Sequence, residues 1–136
     1  MVKNIVMVEL SSTPKNSEYY FRDIKFIKDL RTDPRTMPGF LDQVSNISDD
    51  DQIAYMSKNS DNYFLAYYHG LPVGFGGVIN DDIRYAVIPY FQNLGIGTKI
   101  LNYIKIRNPN AKGKIKKDNL PSIQAFIKAN IPYEVI

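Results

Sequence analysis

The sequence has 136 residues, of which 44% are hydrophobic, 12% aromatic and 23% charged, which suits one globular domain and excludes disorder over the whole chain. It contains no cysteine and a single histidine, which excludes disulfides, cysteine nucleophiles and multi-histidine metal centres, so no metal is expected. The formal net charge is +3. No run approaches the ~18 apolar residues of a membrane span, so the sequence predicts a cytoplasmic protein without a membrane partner.

The first half of the chain combines one strand pattern with two helix patterns. In chain order, the sequence predicts a strand at 5–10, a helix at 18–31, an irregular stretch at 35–47 with a turn at Pro38-Gly39, and a helix after Ser48. Ser17 and Ser48 are residue types that cap helix N-termini. Pro34 disfavours helical backbone in the residue before it, which ends the first helix.

The second half is richer in strand patterns. It predicts strands at 63–68, 73–79 and 83–88, a helix at 94–107, a strand at 112–116, a helix at 121–129 and a strand at 131–136. Asn108-Pro109 ends the third helix, and Pro121 suits the first turn of the fourth. The order β-α-α-β-β-β-α-β-α-β is typical of a single α/β domain, residues 1–136, with a mixed sheet.

Charge is unevenly distributed along the chain. Residues 1–68 hold 8 Lys/Arg and 10 Asp/Glu, whereas residues 69–136 hold 9 and 4, and much of the basic excess lies in residues 105–117. Such a run is typical of a solvated face, a nucleic-acid surface or a site for a phosphorylated cofactor. Aromatic residues are not interleaved there as base stacking requires, so nucleic acid is not an expected partner.

The segment from Tyr90 to Lys99 joins a predicted strand to a helix and contains Gly95 and Gly97. Backbone N–H groups at a helix N-terminus attract anions, and glycines let the backbone approach a phosphate closely. A Rossmann fingerprint fails because its third glycine would be Ile100, and a Walker A loop fails because its glycine spacing is absent. The remaining interpretations are an anion-binding turn and a tight turn without a ligand.

Gln92-Asn93-Leu94-Gly95-Ile96-Gly97 resembles the Q/R-x-x-G-x-G/A signature of the GNAT family of N-acetyltransferases. The segment 119–131 is similar to the family's later N-x-x-S/A-x-x-x-Y-x-K-x-G-F segment, and the order of elements also agrees, so the resemblance covers essentially the whole chain. It implies a GNAT-like acyl-CoA N-acyltransferase fold. It also implies transfer of an acetyl group from the co-substrate acetyl-CoA to a primary amine.

The resemblance also implies which residues bind CoA. The loop amides would hold the pyrophosphate, and an N–H near Val87 or Ile88 would face the thioester carbonyl, a type of contact that contributes ~10²–10³-fold to catalysis. The implied CoA-binding residues are Val87, Ile88, Gln92, Asn93, Leu94, Gly95, Ile96, Gly97, Thr98, Asn119 and Ser122.

The chain departs from the family pattern at the helix that follows Asn119. Phe126 occupies the position where many members carry a tyrosine that protonates the CoA thiolate. Tyr85 and Tyr133 are then candidate proton donors, and Asp82 and His69 are candidate general bases. The usual seventh strand is also missing: either this chain has lost it, or a partner or a missing segment supplies it, and because an unpaired strand edge favours association, a homodimer is one of these alternatives.

The amine acceptor is less well defined by the sequence. Residues 30–34 and 48–53 are similar to those of family members that acetylate amino sugars on nucleotide carriers. Arg31 and Arg35 are candidates to contact a substrate phosphate or are solvated charges at a helix end, and Arg84 on the fourth strand is a candidate to bind an anionic acceptor. Members that acetylate protein N-termini or antibiotics show a comparable pattern. A CoA-binding sensor or interaction module with little catalysis is the alternative from a different functional class, and Phe126 favours it.

Overall fold

The computed structural model describes residues 3–33 and 46–136. Its strands are β1 (Ile5–Glu9), β2 (Tyr63–Tyr68), β3 (Leu71–Ile79), β4 (Asp82–Val87), β5 (Gly113–Ile115) and β6 (Tyr133–Val135), and its helices are α1 (Glu18–Thr32), α2 (Asp49–Asn59), α3 (Ile96–Arg107) and α4 (Leu120–Ala129). The predicted order of elements is confirmed. The turn at Pro38-Gly39 lies outside the described residues. None of the helices in the described ranges is long and apolar enough to cross a bilayer.

The helix caps form where the sequence predicts them. The Ser17 hydroxyl accepts a hydrogen bond from the N–H of Tyr19, and the Ser48 hydroxyl accepts one from Asp51. α3 begins two residues later than predicted, at Ile96, because Gly95 has a φ of 84° and therefore cannot belong to the helix. This left-handed glycine turns the chain sharply between β4 and α3.

Two sheets of different kinds form the domain. β1, β2, β3 and β4 make an antiparallel sheet in that order, whereas β5 and β6 form a separate parallel pair. A single parallel bridge, between Asp82 and Lys112, connects the two sheets. The mixed sheet is therefore confirmed, and it is split between β4 and β5. The homodimer stays a prediction.

Helices cover both faces of the four-stranded sheet. On one face, α3 and α4 bury apolar side chains such as Ile100, Ile104 and Phe126 against Phe64 of β2. On the other face, α1 and α2 bury residues that include Ile27 and Met56. Gly76 of β3 lets α3 approach closely, since a Cβ there would lie 2.8 Å from Cγ2 of Ile100. This packing holds the N-terminus of α3 beside the end of β4.

A buried polar group joins α1 to β2. Asp23 of α1 is 0% exposed, and the Tyr67 hydroxyl lies 2.6 Å from each of its carboxylate oxygens. Nη2 of Arg22 donates to the Tyr67 hydroxyl at 2.8 Å and lies 3.5 Å from Oδ1 of Asp23. Burial raises the pKa of the Asp23 carboxyl, although the Tyr67 hydrogen bond and the Arg22 charge oppose that rise.

Candidate functional site

β4 and β5 start side by side and then separate. The N–H of Ile83 donates to the carbonyl of Lys112 at 3.0 Å, and the N–H of Lys112 donates to Asp81 at 2.9 Å. From the next residue β5 pairs with the other sheet, since the N–H of Gly113 donates to Pro132 at 3.0 Å. The result is a wedge between the two strands, closed at Asp82 and open at Val87, which we call the β4–β5 opening.

Backbone groups of β4 line this opening in alternation. The N–H of Ile88 donates to Val73 of β3 at 2.9 Å, whereas that of Ile83 points to the opposite side, toward Lys112. Because successive residues of an antiparallel strand alternate in direction, the N–H groups of Tyr85 and Val87 face the opening. The expected thioester contact at Ile88 is therefore corrected, since its N–H already has an acceptor. Sequence reasoning missed the N–H of Tyr85, because only the register determines its direction.

The segment after β4 forms a cradle of backbone N–H groups. Asn93 and Gly95 have φ angles of 64° and 84°, and Gln92 donates from its side chain to the carbonyl of Val87 at 3.1 Å. Among the described residues, the backbone N–H groups of residues 93–98 have no hydrogen-bond acceptor. These groups and the positive end of the α3 dipole can hold an anion.

The side chains of this segment contribute less than its backbone. Gln92, Asn93 and Leu94 are exposed, whereas Ile96 is buried in the core beneath the loop. Gly97 and Thr98 are half-buried in the first turn of α3. The buried Ile96 side chain cannot reach a ligand, so its predicted contact can come only from its backbone.

Tyr85 extends from β4 to α4 on the α3 side of the sheet. Its hydroxyl lies 2.6 Å from Oγ of Ser122, and its ring centroid lies 6.0 Å from that of Phe126. Asn119 caps α4, its Oδ1 accepting from the N–H of Ser122 at 3.4 Å. The structure thus brings Tyr85 and Ser122 together, while the Asn119 side chain already serves the helix.

The two predicted bases lie at opposite ends of the sheet. Asp82 starts β4, about 17 Å along the strand from Val87 at the usual rise per residue, and its carboxylate is 3.5 Å from Nζ of Lys114. Asp82 therefore lies at the closed end of the opening with Lys114 as its partner, and its role as a base stays a prediction. His69 is exposed in the β2–β3 turn, its ring 4.2 Å from that of Tyr68. Because the register aligns β3 residue 74 with Val87, His69 lies beyond the open end of the wedge, also about 17 Å along the strand direction from the level of Val87.

The basic run of residues 105–117 does not form one continuous patch. Nζ of Lys105 donates to the carbonyl of Ala129 at the end of α4, Arg107 pairs with Glu9, and Lys114 pairs with Asp82. These contacts fit the solvated-face interpretation of the run, and they direct its charges to three separate parts of the domain.

A cavity of about 300 Å³ lies at the open end of β4 on the α1 side. Its lining consists of Phe26, Asp29, Leu30, Asp33, Ile88, Pro89 and Tyr90. Asp29 pairs with Lys25 at 2.9 Å, and both aspartates lie at the C-terminal end of α1, where the helix dipole attracts cations. Sequence reasoning missed this acidic pair, although its spacing of four residues on a helix is a readable signal.

Arg31 and Arg84, the two predicted arginines within the described residues, belong to α1 and β4. Nη1 of Arg84 donates to the Tyr55 hydroxyl at 3.2 Å, which lies 2.7 Å from that of Tyr63. Burial raises the pKa of Tyr63. Arg31 is half-buried in the last turn of α1, and Arg35 lies outside the described residues. Neither described arginine lines the cavity.

Within the described residues, no group of three or more acidic or histidine side chains is arranged to hold a metal ion.

Comparisons with known proteins agree with this geometry. The model of the acetyltransferase (GNAT) family matches residues 24–128. Two similar solved structures are of AAC(6')-Ib, with paromomycin and acetyl-CoA or with ribostamycin and coenzyme A. Each is 14% identical and covers 80% of this chain and 77% of its own, with TM-scores of 0.59 and 0.60.

A further similar structure is that of a GNAT-family acetyltransferase from Streptococcus pneumoniae. It is 13% identical, covers 92% of this chain and 83% of its own, and has a TM-score of 0.59. At such low identity these structures show a common fold. No curated protein matches the sequence.

Proposed function

The chain belongs to the acetyltransferase (GNAT) family, and from this membership we propose that its acetyl-CoA-dependent N-acetyl transfer acts on a small primary amine that carries further positive charge. An amino sugar with several amino groups is the best example of this class. The observation that carries the proposal is that the N–H cradle at residues 93–98 and the acidic cavity beside Ile88 lie at the same, open end of the β4–β5 opening.

The cradle and the opening suit the two parts of acetyl-CoA. The anionic pyrophosphate would bind the N–H groups of residues 93–98 at the start of α3. The pantetheine arm carries amide groups, and it would extend into the opening beside the outward N–H groups of Val87 and Tyr85. Binding in this orientation places the thioester at a fixed position, which replaces a bimolecular encounter by an intramolecular one.

The chemistry is attack of a neutral amine on the thioester carbonyl. An outward N–H of β4 would stabilise the oxyanion that develops, which typically contributes ~10²–10³-fold. The amine must first lose a proton, and the open end of the wedge allows water to accept it. His69 lies beyond the open end of the wedge and Asp82 at its closed end, so neither predicted base lies beside Tyr85 and water is the proton acceptor that the geometry favours.

The cavity supports a cationic acceptor. Two carboxylates, Asp29 and Asp33, line it at the negative end of the α1 dipole, and the rings of Phe26 and Tyr90 add faces that attract cations. Tyr90 is 87% exposed, so its ring is accessible to a ligand. An acceptor with two or more ammonium groups could use one amine for reaction and the others for binding.

A nucleotide-linked amino sugar is the second candidate. The half-buried Arg84, whose guanidinium is oriented by Tyr55, supports it because arginine recognises phosphate well. The acidic lining of the cavity opposes it, since a diphosphate would lie beside Asp29 and Asp33. A direct competition between the two acceptor classes separates these candidates.

The first test combines acetyl-CoA binding with turnover. Calorimetric titration should show binding of acetyl-CoA, and incubation with a panel of amines should release free thiol. The panel would contain aminoglycosides, linear polyamines, nucleotide-linked amino sugars, peptides with free N-termini and simple monoamines. We expect the fastest release with polycationic amines. Faster release with nucleotide-linked amino sugars would overturn the acceptor proposal, and binding without any release would favour a CoA sensor.

Replacing Asp33 with asparagine should raise the KM for a polycationic amine about fivefold, because a partly exposed ammonium–carboxylate contact contributes roughly 1 kcal/mol. The kcat should change little, since the carboxylate binds a distant ammonium. Steady-state kinetics with a polyamine and a monoamine would measure this difference.

The matched control for this variant is Glu18→Gln, which removes a carboxylate at the opposite end of α1. It should leave both KM values unchanged. If Asp33→Asn raises the KM for the monoamine as much as for the polyamine, the Asp33 carboxylate does not bind the additional ammonium group of the polyamine.

A further inference from the structure

We propose that the Tyr85 hydroxyl donates a hydrogen bond to the sulfur of the departing CoA thiolate, and that Ser122 orients this hydroxyl. The proposal rests on the acetyl-CoA site proposed above and adds a catalytic residue to it. It assigns a chemical task to the side chain that joins β4 to the first turn of α4 across the β4–β5 opening.

The register of β4 determines which residue lies beside the thioester. An arm that enters from the cradle at residues 93–98 passes Val87 first and Tyr85 next. Beyond Tyr85 the opening closes, because Ile83 is bonded to Lys112. Tyr85 is therefore the last residue of β4 whose N–H faces the arm, and the reacting end of acetyl-CoA would stop beside it.

The side chain of Tyr85 lies on the side of the sheet from which the arm enters. A Cβ placed on Gly97, in the first turn of α3, would be 3.4 Å from Cε2 of Tyr85. The hydroxyl extends to Ser122, in the first turn of α4, at 2.6 Å. The phenol thus spans the two helix N-termini that border the arm, and this position puts its hydroxyl within reach of the sulfur.

Phe126 cannot donate a hydrogen bond to the CoA sulfur, for two reasons. Its ring has no hydroxyl, and it is 2% exposed and packed so closely against Gly113 of β5 that a Cβ there would overlap with the ring. The edge of that ring is directed at the β5 backbone. Of the aromatic side chains at this position, Tyr85 is the one whose hydroxyl has a polar partner.

The step balances without a proton leaving Tyr85. As the tetrahedral intermediate collapses, the attacking nitrogen loses a proton to water, the C–S bond breaks, its electron pair moves to sulfur, and the carbonyl of the new amide re-forms. Burial raises the pKa of the Tyr85 phenol, although the Ser122 hydrogen bond lowers it, so this pKa stays above that of a thiol, about 8.5. Transfer of the proton to sulfur is therefore uphill, and a hydrogen bond to the thiolate is the favoured contact. The thiolate takes its proton from water after release.

Ser122 acts as a positioning residue. If its hydroxyl donates to the phenol oxygen, the phenol hydrogen is left to point elsewhere, toward the sulfur. This arrangement also makes the phenol a stronger donor, since hydrogen bonds in a chain polarise one another. The backbone N–H of Ser122 donates to Oδ1 of Asn119, which caps α4. The start of α4 therefore fixes the direction of the hydrogen bond between Ser122 and Tyr85.

Ionisation of bound CoA tests the proposal directly. Wild type and Tyr85→Phe would each be saturated with CoA and titrated from about pH 5 to pH 10, a range that brackets the thiol pKa, while ultraviolet absorbance follows the thiolate. A donated hydrogen bond favours the thiolate, so bound CoA should ionise about tenfold more readily in wild type, a shift of about one pKa unit. Equal pKa values in the two proteins would overturn the proposal.

Kinetics provide the second readout. Tyr85→Phe should lower kcat about tenfold or more, as loss of a hydrogen bond to a charged group does, with the KM for acetyl-CoA within about twofold. Ser122→Ala should shift the thiol pKa in the same direction by a smaller amount. The control is Tyr133→Phe, whose ring also contacts Phe126, at 6.2 Å, and it should change neither quantity. A decrease in kcat of similar size in the control would contradict the assignment.

This test is independent of the acceptor. The titration requires only that CoA binds, so it remains informative if the amine panel gives no product. Failure of wild type to bind CoA would contradict the proposed acetyl-CoA site itself, whereas binding with an unshifted thiol pKa would contradict the role of Tyr85 alone.

Discussion

Replacing Gly95 with valine is expected to weaken acetyl-CoA binding about 100-fold. The residue has a φ of 84°, which costs an L-amino acid about 1–2 kcal/mol and a β-branched one more. The loop would relieve this strain by leaving the left-handed conformation, which turns the N–H groups of residues 93–98 away from the pyrophosphate. Loss of one or two charge-assisted hydrogen bonds then gives about 3 kcal/mol, or 100-fold.

Isothermal calorimetry with acetyl-CoA measures this change, and the chain provides a matched control. Gly70, in the β2–β3 turn, has nearly the same φ, +80°, and no heavy atom lies within 4 Å of a Cβ built there. Gly70→Val therefore carries similar backbone strain without altering the loop, and it should bind acetyl-CoA as wild type does. Equal affinities of the two variants would show that residues 93–98 do not hold the cofactor.

Replacing Tyr67 with phenylalanine is expected to lower the free energy of unfolding by about 3 kcal/mol at pH 7, because it leaves a buried carboxylate with a weakened set of partners. Asp23 is 0% exposed, and both of its oxygens contact the Tyr67 hydroxyl. Arg22, at 3.5 Å from Asp23, remains, so the charge stays partly compensated. Urea unfolding followed by circular dichroism measures the difference.

The cost of this substitution should depend on pH. The pKa of Asp23 is raised in the folded state, so the stability linked to its proton is full below the unfolded pKa of about 3.9 and is lost as pH rises through the folded pKa. Tyr67 opposes the rise in the pKa of Asp23 by stabilising its carboxylate. Removal of the Tyr67 hydroxyl should therefore increase the stability that is lost as the pH rises. Near pH 3 the carboxyl is protonated in both states, and the cost should shrink to about 1 kcal/mol, the worth of a neutral hydrogen bond.

Tyr68→Phe is the control for this prediction, since the residue is adjacent on β2 but belongs to the opposite face of the sheet. We expect it to change stability by less than about 0.5 kcal/mol at both pH values, as surface substitutions usually do. A pH-independent cost for Tyr67→Phe would mean that the Tyr67 phenol does not affect the pKa of Asp23.

Local sequence signals predicted the elements and the loop well, because they depend on neighbouring residues. Ser17 and Ser48 cap their helices as expected, and the glycines between β4 and α3 create the sharp turn that the motif requires. What the sequence could not place depended on register. Asp82 lies only five residues before Val87 in the sequence, yet a strand extends them to opposite ends of the opening.

Long-range contacts explain the other omissions. The partnership of Asp23 with Tyr67 joins residues 44 positions apart, and no pattern in α1 alone identifies that partner. The acidic cavity likewise depends on how α1 meets the end of β4 at Ile88. The resemblance supplied the cofactor, whereas the side chains around the acceptor vary with the packing of α1 and α2.

Because the backbone N–H groups of β4 alternate in direction, the hydrogen exchange of individual amides indicates whether the β4–β5 opening is occupied. Amide protons directed to β3 or to Lys112 should exchange slowly with deuterium, and those of Tyr85 and Val87, which face the opening, should exchange quickly. A bound pantetheine arm would slow these two amides and leave their neighbours unchanged. The amides of Tyr85 and Val87 thus report whether the wedge is filled, before any acetyl group is transferred.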